Sequence, residues 1–255
     1  MSNPTFMDAV VLLGDSITET NADGTFTARI AEWYGRKMDV LNRGYGGFNT
    51  KMVLPLIPQI FGRLGEATQR VRMVVIWLGT NDASFAPAMQ HVPVDVFKKN
   101  LKDIITGVRQ AVPDCAIVLI TPGQMFQSAW NAVIREWVYV LQGKSADEFV
   151  PNRDAPTTKL YVEAVMQVGE EENVAALNAW ELMTNDAGGE DAPGLSSYFT
   201  DGIHMTSKGY ALIFNAFTKL VGEKYPELYA VGMKRRIPDW LDIEKNPELL
   251  YGEDV

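Results

Sequence analysis

Short apolar runs alternate with longer amphipathic stretches along most of the chain, and this alternation constrains the fold more than any other feature. The runs lie at 9–13, 39–41, 73–78, 116–120 and 173–177. All but the second are dominated by Val, Ile and Leu without regular polar alternation, as strands buried on both faces require. The sequence therefore predicts five strands of a parallel sheet.

The stretches between the runs have helical periodicity and cover 26–37, 50–64, 94–112, 156–172 and 206–224. Apolar residues of the third stretch recur at three- and four-residue intervals, which marks one buried helical face: Phe97, Leu101, Ile104, Ile105 and Val108. Strand then helix, repeated five times, predicts an α/β fold with helices on both sides of the sheet. Binding sites in such folds gather in loops beyond the carboxyl ends of the strands.

Two regions do not follow the alternation. Segment 124–153 contains aromatic residues but no clear strand, and it could form a lid or wall over a site or an ordinary packed excursion. Segment 226–255 contains three prolines and scattered apolar residues. We expect it to be an extension that packs on the 1–225 domain or on a partner subunit of a homo-oligomer.

Charge and composition exclude several classes of protein. The 23 Lys and Arg against 32 Asp and Glu leave a net charge of −9, which argues against nucleic acid or an anionic membrane surface as the main partner. No apolar run approaches the roughly 18 residues of a membrane span, and residues 6–13 lack the pattern of a secretory signal. The single Cys115 fits a reducing compartment and a buried, inert thiol, so we expect a cytoplasmic location.

Ser16 directly follows the first predicted strand, in Gly14-Asp15-Ser16-Ile17-Thr18. It lies in the kind of loop where α/β sheets carry out chemistry, and Gly14 permits a sharp turn there. A serine that merely caps the following turn is the alternative interpretation.

Asp201 and His204 lie just before the last predicted helix, in Thr200-Asp201-Gly202-Ile203-His204. A serine nucleophile needs a base, and the base needs an acceptor that orients it. An Asp three residues before a His, on a turn loosened by a glycine, can present both side chains to one cleft. The other histidine, His91, lies in a polar loop with no carboxylate at useful spacing, so His204 is the best candidate for a base that acts near neutral pH.

Two further loops carry candidate oxyanion donors. Gly44-Tyr45-Gly46-Gly47 follows the second strand and leaves backbone N–H groups uncovered, although a plain tight turn is possible. The loop lacks the third glycine of a dinucleotide fingerprint and the Lys-Ser/Thr of a P-loop. Asn81, in Gly79-Thr80-Asn81-Asp82, offers an uncharged amide donor, or alternatively caps the next turn.

The four segments together carry complementary chemistry: a hydroxyl, bare amides, a side-chain amide and an Asp/His pair. Their joint occurrence favours serine hydrolysis over four unrelated structural roles. The sequence contains neither the G-x-S-x-G elbow of the α/β-hydrolases nor an H-E-x-x-H or Cys/His metal signature, so we expect no metal and no cofactor.

The four segments, in this order, resemble the conserved blocks of the SGNH (GDSL-type) hydrolase superfamily. Residues 13–19 and 34–44, together with the ending at 200–204, look like those of the isoamyl acetate-hydrolysing esterases. The resemblance implies a flavodoxin-like three-layer α/β/α sandwich with a five-stranded parallel sheet. It also implies an esterase for a small-molecule ester, with short acyl groups favoured over sugar-linked acetyl groups, lipid acyl chains or acyl transfer. A catalytically silent binding module is the alternative from another class.

The resemblance assigns roles to five residues. Ser16 is expected to be the nucleophile, His204 the general base and Asp201 its orienting acid. The N–H groups of Ser16 and Gly47, with the Asn81 amide, are expected to form the oxyanion hole. Segment 124–153 is longer and more aromatic than is typical of the family, which leaves the substrate's size open.

Overall fold

The computed structural model describes residues 7–66, 69–190 and 192–250. Phe6 of the segment inspected for a secretory signal and residues 251–255 of the expected C-terminal extension lie outside this part of the chain. Within the described residues, no helix combines the length and apolar composition that crossing a bilayer requires.

Five strands form one parallel sheet in the order β2-β1-β3-β4-β5. They are β1 (Ala9–Gly14), β2 (Asp39–Gly44), β3 (Val71–Trp77), β4 (Ala116–Ile120) and β5 (Ala175–Leu177). This is the strand order of flavodoxin-like folds, in which the order reverses between β1 and β3. The predicted α/β fold is confirmed, and each predicted strand is present with small shifts at its ends.

Ten α-helices lie in the described residues: α1 (Ser16–Glu19), α2 (Phe26–Trp33), α3 (Thr50–Val53), α4 (Ile57–Glu66), α5 (Val94–Ala111), α6 (Gln127–Gln142), α7 (Ala155–Glu171), α8 (Ala179–Ala187), α9 (Ser207–Lys224) and α10 (Trp240–Lys245). Short 3-10 turns are at Leu54–Leu56, Ala146–Glu148, Pro193–Tyr198, Pro226–Leu228, Ala230–Gly232 and Pro247–Leu250.

The predicted helices differ from the observed ones in two ways. The stretch 50–64 is not continuous, because a 3-10 turn that contains Pro55 separates α3 from α4, and proline cannot donate an intrahelical hydrogen bond. The helix expected at 26–37 ends at Trp33, and Arg36 adopts a positive φ of 62°. The sequence analysis did not predict α6 or α8. The valines and aromatic residues of α6 are weak helix formers by themselves.

The strands alternate their side chains between two separate cores. Val10 and Leu12 of β1 belong to the core under α2 and α9, whereas Val11 and Leu13 belong to the core under α5 and α7. All four are essentially inaccessible to solvent. Because a strand points successive side chains to opposite faces, the purely apolar sequence of β1 requires helices on both sides. The molecule is therefore a three-layer α/β/α sandwich.

The first part of the C-terminal segment packs against α2 and the turn after it. The Tyr34 hydroxyl donates to the carbonyl of Leu228 at 2.8 Å, and Lys37 Nζ donates to the carbonyl of Ala230 at 2.6 Å. Leu228 and Ala230 are both buried in the core under α9. Further on, Val231 and Trp240 are exposed.

Candidate active site

Ser16 is the first residue of α1, immediately beyond the carboxyl end of β1. Gly14 is required there because a Cβ atom on it would lie 2.1 Å from Thr18 Oγ1. Asp15, not Ser16, caps the helix, since its Oδ1 accepts the N–H of Ile17 at 2.9 Å. The capping role considered for Ser16 therefore belongs to its neighbour, and the Ser16 hydroxyl is left to face the cleft.

Ser16, His204 and Asp201 form a continuous hydrogen-bonded chain. Ser16 Oγ is 2.9 Å from His204 Nε2, although 188 positions separate the two residues in the sequence. His204 Nδ1 is 2.6 Å from Asp201 Oδ2. The other carboxylate oxygen of Asp201 accepts the backbone N–H groups of Ile203 and His204 at 3.0 and 2.8 Å. One carboxylate thus orients both the imidazole and the loop that carries it.

Gly202 allows this loop to pack against α6. Its φ is 106°, and a Cβ atom there would lie 2.5 Å from the Trp130 backbone nitrogen. The Gly202 carbonyl accepts the N–H of Phe126 at 2.8 Å, and Ile203 packs with Trp130 and Ile134 of α6. Segment 124–153 therefore supports the loop that positions His204.

The contact between Asp201 and His204 shifts the pKa values of both residues in the directions expected of an ion pair. The hydrogen bond to Asp201 raises the pKa of His204 above its ordinary value, and this effect outweighs the opposing effect of burial. For Asp201, burial would raise the pKa, but hydrogen bonds from the His204 side chain and backbone together hold it below the usual range. The carboxylate thus stays ionised where His204 gains its proton.

The residues expected to form an oxyanion hole, Ser16, Gly47 and Asn81, all line one cleft. Gly47 has a φ of 77°. The backbone N–H groups of Ser16 and Gly47 have no acceptor among the described residues. Asn81 Nδ2 donates one hydrogen to the Phe48 carbonyl at 2.9 Å, which leaves the second free. Gly46 instead lies against Glu19, whose Oε2 a Cβ atom would approach to 2.6 Å, so Gly47 is the glycine that faces the cleft.

The cleft has a volume of about 450 Å³. Its lining combines the predicted residues with the apolar face of α6 and several polar side chains: Ser16, Gly47, Asn81, Gln90, Trp130, Ile134, Trp137, Gln142, Val150, Asn152, Arg153, Ile203 and His204. Of the two interpretations offered for 124–153, the wall over the site is the correct one. Its aromatic content alone did not decide between them.

Arg153 was not found by sequence reasoning. It is 2% exposed and donates to the Thr80 carbonyl at 2.8 Å and to Ser84 Oγ at 3.0 Å, and its guanidinium lies 5.0 Å from the centre of the Trp130 ring. Burial lowers its pKa to about 10, although Asp15 and Asp201 oppose this shift. Nothing in the local sequence separates Arg153 from a surface arginine.

The two other carboxylates of the motifs, Asp15 and Asp82, are buried. Burial raises the pKa of Asp15 to about 7 and that of Asp82 to about 6. Asp82 Oδ1 accepts the N–H and the hydroxyl of Thr50, at 3.0 and 2.5 Å, so it joins the loop after β3 to the start of α3. His91 Nδ1 lies 2.5 Å from the Ser84 carbonyl, which is consistent with its exclusion as the base.

Residues 12–212 match the model of the GDSL-like lipase/acylhydrolase family. The chain belongs to this family. The expected membership is thereby confirmed, and the protein is a carboxylic ester hydrolase. This GDSL-type hydrolase is 32% identical to the isoamyl acetate-hydrolyzing esterase 1 homolog of Bos taurus over 252 residues, which are 97% of this chain and 93% of that protein.

Two solved structures are similar to the GDSL-type hydrolase in fold. A lipase/acylhydrolase from Enterococcus faecalis has a TM-score of 0.62 and 21% identity, covering 90% of this chain and 98% of its own. An acetylxylan esterase from Geobacillus stearothermophilus has a TM-score of 0.61 and 17% identity, covering 86% of this chain and 96% of its own. Both likenesses support the flavodoxin-like architecture.

Proposed function

We propose that this hydrolase cleaves short-chain, acetyl-like carboxylic esters through an acyl-enzyme intermediate formed on Ser16. The observation that carries the proposal is the chain of contacts from Ser16 Oγ to His204 Nε2, at 2.9 Å, and from His204 Nδ1 to Asp201 Oδ2, at 2.6 Å. A hydroxyl within hydrogen-bond reach of an oriented imidazole is the arrangement that activates serine as a nucleophile.

The proposed mechanism uses the two nitrogens of His204 for different purposes. Nε2 takes the Ser16 proton as Oγ attacks the ester carbonyl, and it then gives that proton to the departing alcohol. Water, deprotonated by the same nitrogen, then attacks the acyl carbonyl, and Nε2 returns that proton to Ser16 Oγ as the carboxylic acid leaves. Asp201 stays ionised throughout and stabilises the imidazolium from the Nδ1 side.

In both steps the carbonyl oxygen becomes negatively charged, and we propose that three hydrogen-bond donors stabilise it. These are the Ser16 and Gly47 N–H groups and the remaining Nδ2 hydrogen of Asn81. The absence of other acceptors on the two N–H groups among the described residues supports this role. Donors held in place before the reaction stabilise the oxyanion without reorganising, which is usually the largest electrostatic contribution in acyl transfer.

The preference for short acyl groups is supported by the relative named for isoamyl acetate hydrolysis. An acetylated carbohydrate is the second candidate. It is favoured by the likeness to an acetylxylan esterase and by Trp137, which lines the cleft and is 51% exposed. An exposed indole face can bind either an alkyl group or a sugar ring. A lipid ester or acyl transfer to an alcohol would use the same Ser16 and His204, whereas a silent module would leave Ser16 unreactive.

A series of esters distinguishes these substrates. We expect kcat/KM for p-nitrophenyl esters to be highest for acetate or butyrate and to fall with longer acyl chains, and simple alkyl acetates to be better substrates than acetylated xylo-oligosaccharides. A higher kcat/KM for the acetylated sugar would assign the protein to carbohydrate acetylesters. Wild-type protein that neither hydrolyses any of these esters nor reacts at Ser16 with a fluorophosphonate would contradict the esterase proposal.

The rate of hydrolysis should depend on the protonation of His204. A protonated imidazole cannot take the Ser16 proton, so kcat/KM should fall as the pH drops through the pKa of His204. Because Asp201 raises that pKa, this fall should occur at a pH above the ordinary histidine value of 6.5. Removing the carboxylate in Asp201→Ala should move the midpoint to lower pH, as measured by kcat/KM across the pH range. An unchanged midpoint would show that His204 is not the titrating base.

We also propose that 1–225 is the catalytic domain and 226–255 an extension that packs on it. The hydrogen bonds that Tyr34 and Lys37 donate to the carbonyls of Leu228 and Ala230 support the packing of the extension on the domain. Beyond them, exposed Val231 and Trp240 are candidates for contact with a second copy, which sedimentation velocity of the full chain tests. A cytoplasmic location remains our proposal. It is supported by Cys115, whose half-buried thiol packs on the core and whose pKa burial raises to about 11.

A further inference from the structure

Gln90 lies in the cleft beside two of the proposed oxyanion donors, and no sequence pattern assigns it a role. Its Nε2 donates to the Gly47 carbonyl at 2.8 Å and to Asn81 Oδ1 at 3.3 Å. Its own backbone carbonyl accepts a hydrogen bond from Asn49 Nδ2 at 2.9 Å. A single residue thus connects Asn81, after β3, with the glycine loop after β2.

The contact with Gln90 determines which way the Asn81 amide faces. In the observed orientation, Oδ1 faces the Gln90 donor and Nδ2 faces the Phe48 carbonyl. Turning the amide by half a rotation would place donor against donor at Gln90 and acceptor against acceptor at Phe48. The network therefore holds Nδ2, the atom that carries the spare hydrogen, in its present position.

The second contact holds the peptide that follows Gly47. Its carbonyl accepts from Gln90, and its N–H, that of Phe48, donates to the Tyr45 carbonyl at 3.0 Å. A Cβ atom on Gly47 would lie 3.3 Å from Gln90 Nε2, so a glycine leaves room for the glutamine amide. With this peptide held on both sides, the conformation of Gly47 and the direction of its N–H are constrained.

We infer that Gln90 is a positioning residue for the oxyanion hole, which keeps Asn81 Nδ2 and the Gly47 N–H directed at one point. The inference rests on the proposed function. Both hydrogens of Gln90 Nε2 are already committed, one to Gly47 and one to Asn81. Gln90 therefore acts through these two residues and has no Nε2 hydrogen left for the substrate.

Two substitutions test this role. Gln90→Met keeps the length of the side chain but removes the amide, and we expect kcat for p-nitrophenyl acetate to fall about 10- to 100-fold, less than the 10²–10³ typical of deleting an oxyanion donor. KM should change by no more than about twofold, because the lost interaction strengthens only in the transition state. Gln90→Glu should be worse than Gln90→Met, because a carboxylate would face two acceptor oxygens. Gln167→Met, the same change on an exposed face of α7, should leave both constants unchanged.

Two readouts separate positioning from a general loss of structure. In an Asn81→Ala background, Gln90→Met should lower kcat by a smaller factor than it does in the wild type, because one of the two groups through which Gln90 acts is already gone. The pH midpoint of kcat/KM should not move, because His204 is untouched.

Three results would each overturn the inference. They are an effect of Gln90→Met on KM instead of kcat, an undiminished fall in kcat in the Asn81→Ala background, and unfolding of both Gln90 variants as measured by circular dichroism. In each of these cases wild-type hydrolysis and labelling of Ser16 would persist, so the outcome is distinct from failure of the esterase proposal.

Discussion

Replacing Ser16 with alanine is expected to lower kcat for p-nitrophenyl acetate by about 10⁴- to 10⁶-fold, because the atom that forms the acyl-enzyme is removed. The oxyanion donors and His204 would remain, so a small residual rate above that in water is expected. The change deletes one oxygen from a partly exposed residue, and the Asp15 cap of α1 uses only the backbone of Ile17. We therefore expect the thermal unfolding midpoint to stay close to that of the wild type.

Labelling with a fluorophosphonate provides the direct measurement for Ser16. Mass spectrometry should locate the adduct on the wild-type peptide that contains Ser16, and Ser16→Ala should not be labelled. Ser196→Ala is the matched control, because Ser196 is exposed and donates only to the Pro193 carbonyl. Wild-type activity in Ser16→Ala, or labelling elsewhere in the wild type, would show that another residue is the nucleophile.

Asp201→Asn is expected to lower kcat by about 10⁴-fold while preserving the fold, because it reverses the tautomer of His204. Two backbone N–H groups, those of Ile203 and His204, point at one oxygen of residue 201. An asparagine would place its single carbonyl oxygen there and direct its NH₂ group at His204 Nδ1. The imidazole would then hold its proton on Nε2, where it could not accept the Ser16 proton.

Nitrogen NMR of the imidazole measures this change directly, since the chain contains only two histidines. We expect His204 to carry its proton on Nδ1 in the wild type and on Nε2 in Asp201→Asn, with His91 unchanged. Asp103→Asn is the control for the same change on an exposed helical surface, where Asp103 pairs with Lys99. A rate for Asp201→Asn within tenfold of wild type, which is a barrier change of only about 1.4 kcal/mol, would contradict the orienting role.

Much of the fold could be predicted from the sequence because its signals are local. The apolar runs of β1, β3 and β4 are too hydrophobic for a solvated face, so helices on both sides and a parallel sheet follow. Local signals are weaker where tertiary contacts override propensity. The helix α6, rich in valine and aromatic residues, becomes recognisable only through its packing on Ile203 and Arg153.

The order of the strand-end loops could be predicted from the sequence alone, and so could the choice of Ser16, Asn81, Asp201 and His204 as candidate site residues. Both are properties of short segments and of the rule that parallel strands direct their carboxyl ends to one edge. The tertiary structure decided that Asp15 caps α1 in place of Ser16, that Gly47 and not Gly46 faces the cleft, and that Gln90 and Arg153 reach it. These outcomes depend on distances of a few ångströms between segments that are far apart in the chain. The side chains packed between those segments set the distances, and no local sequence pattern encodes them.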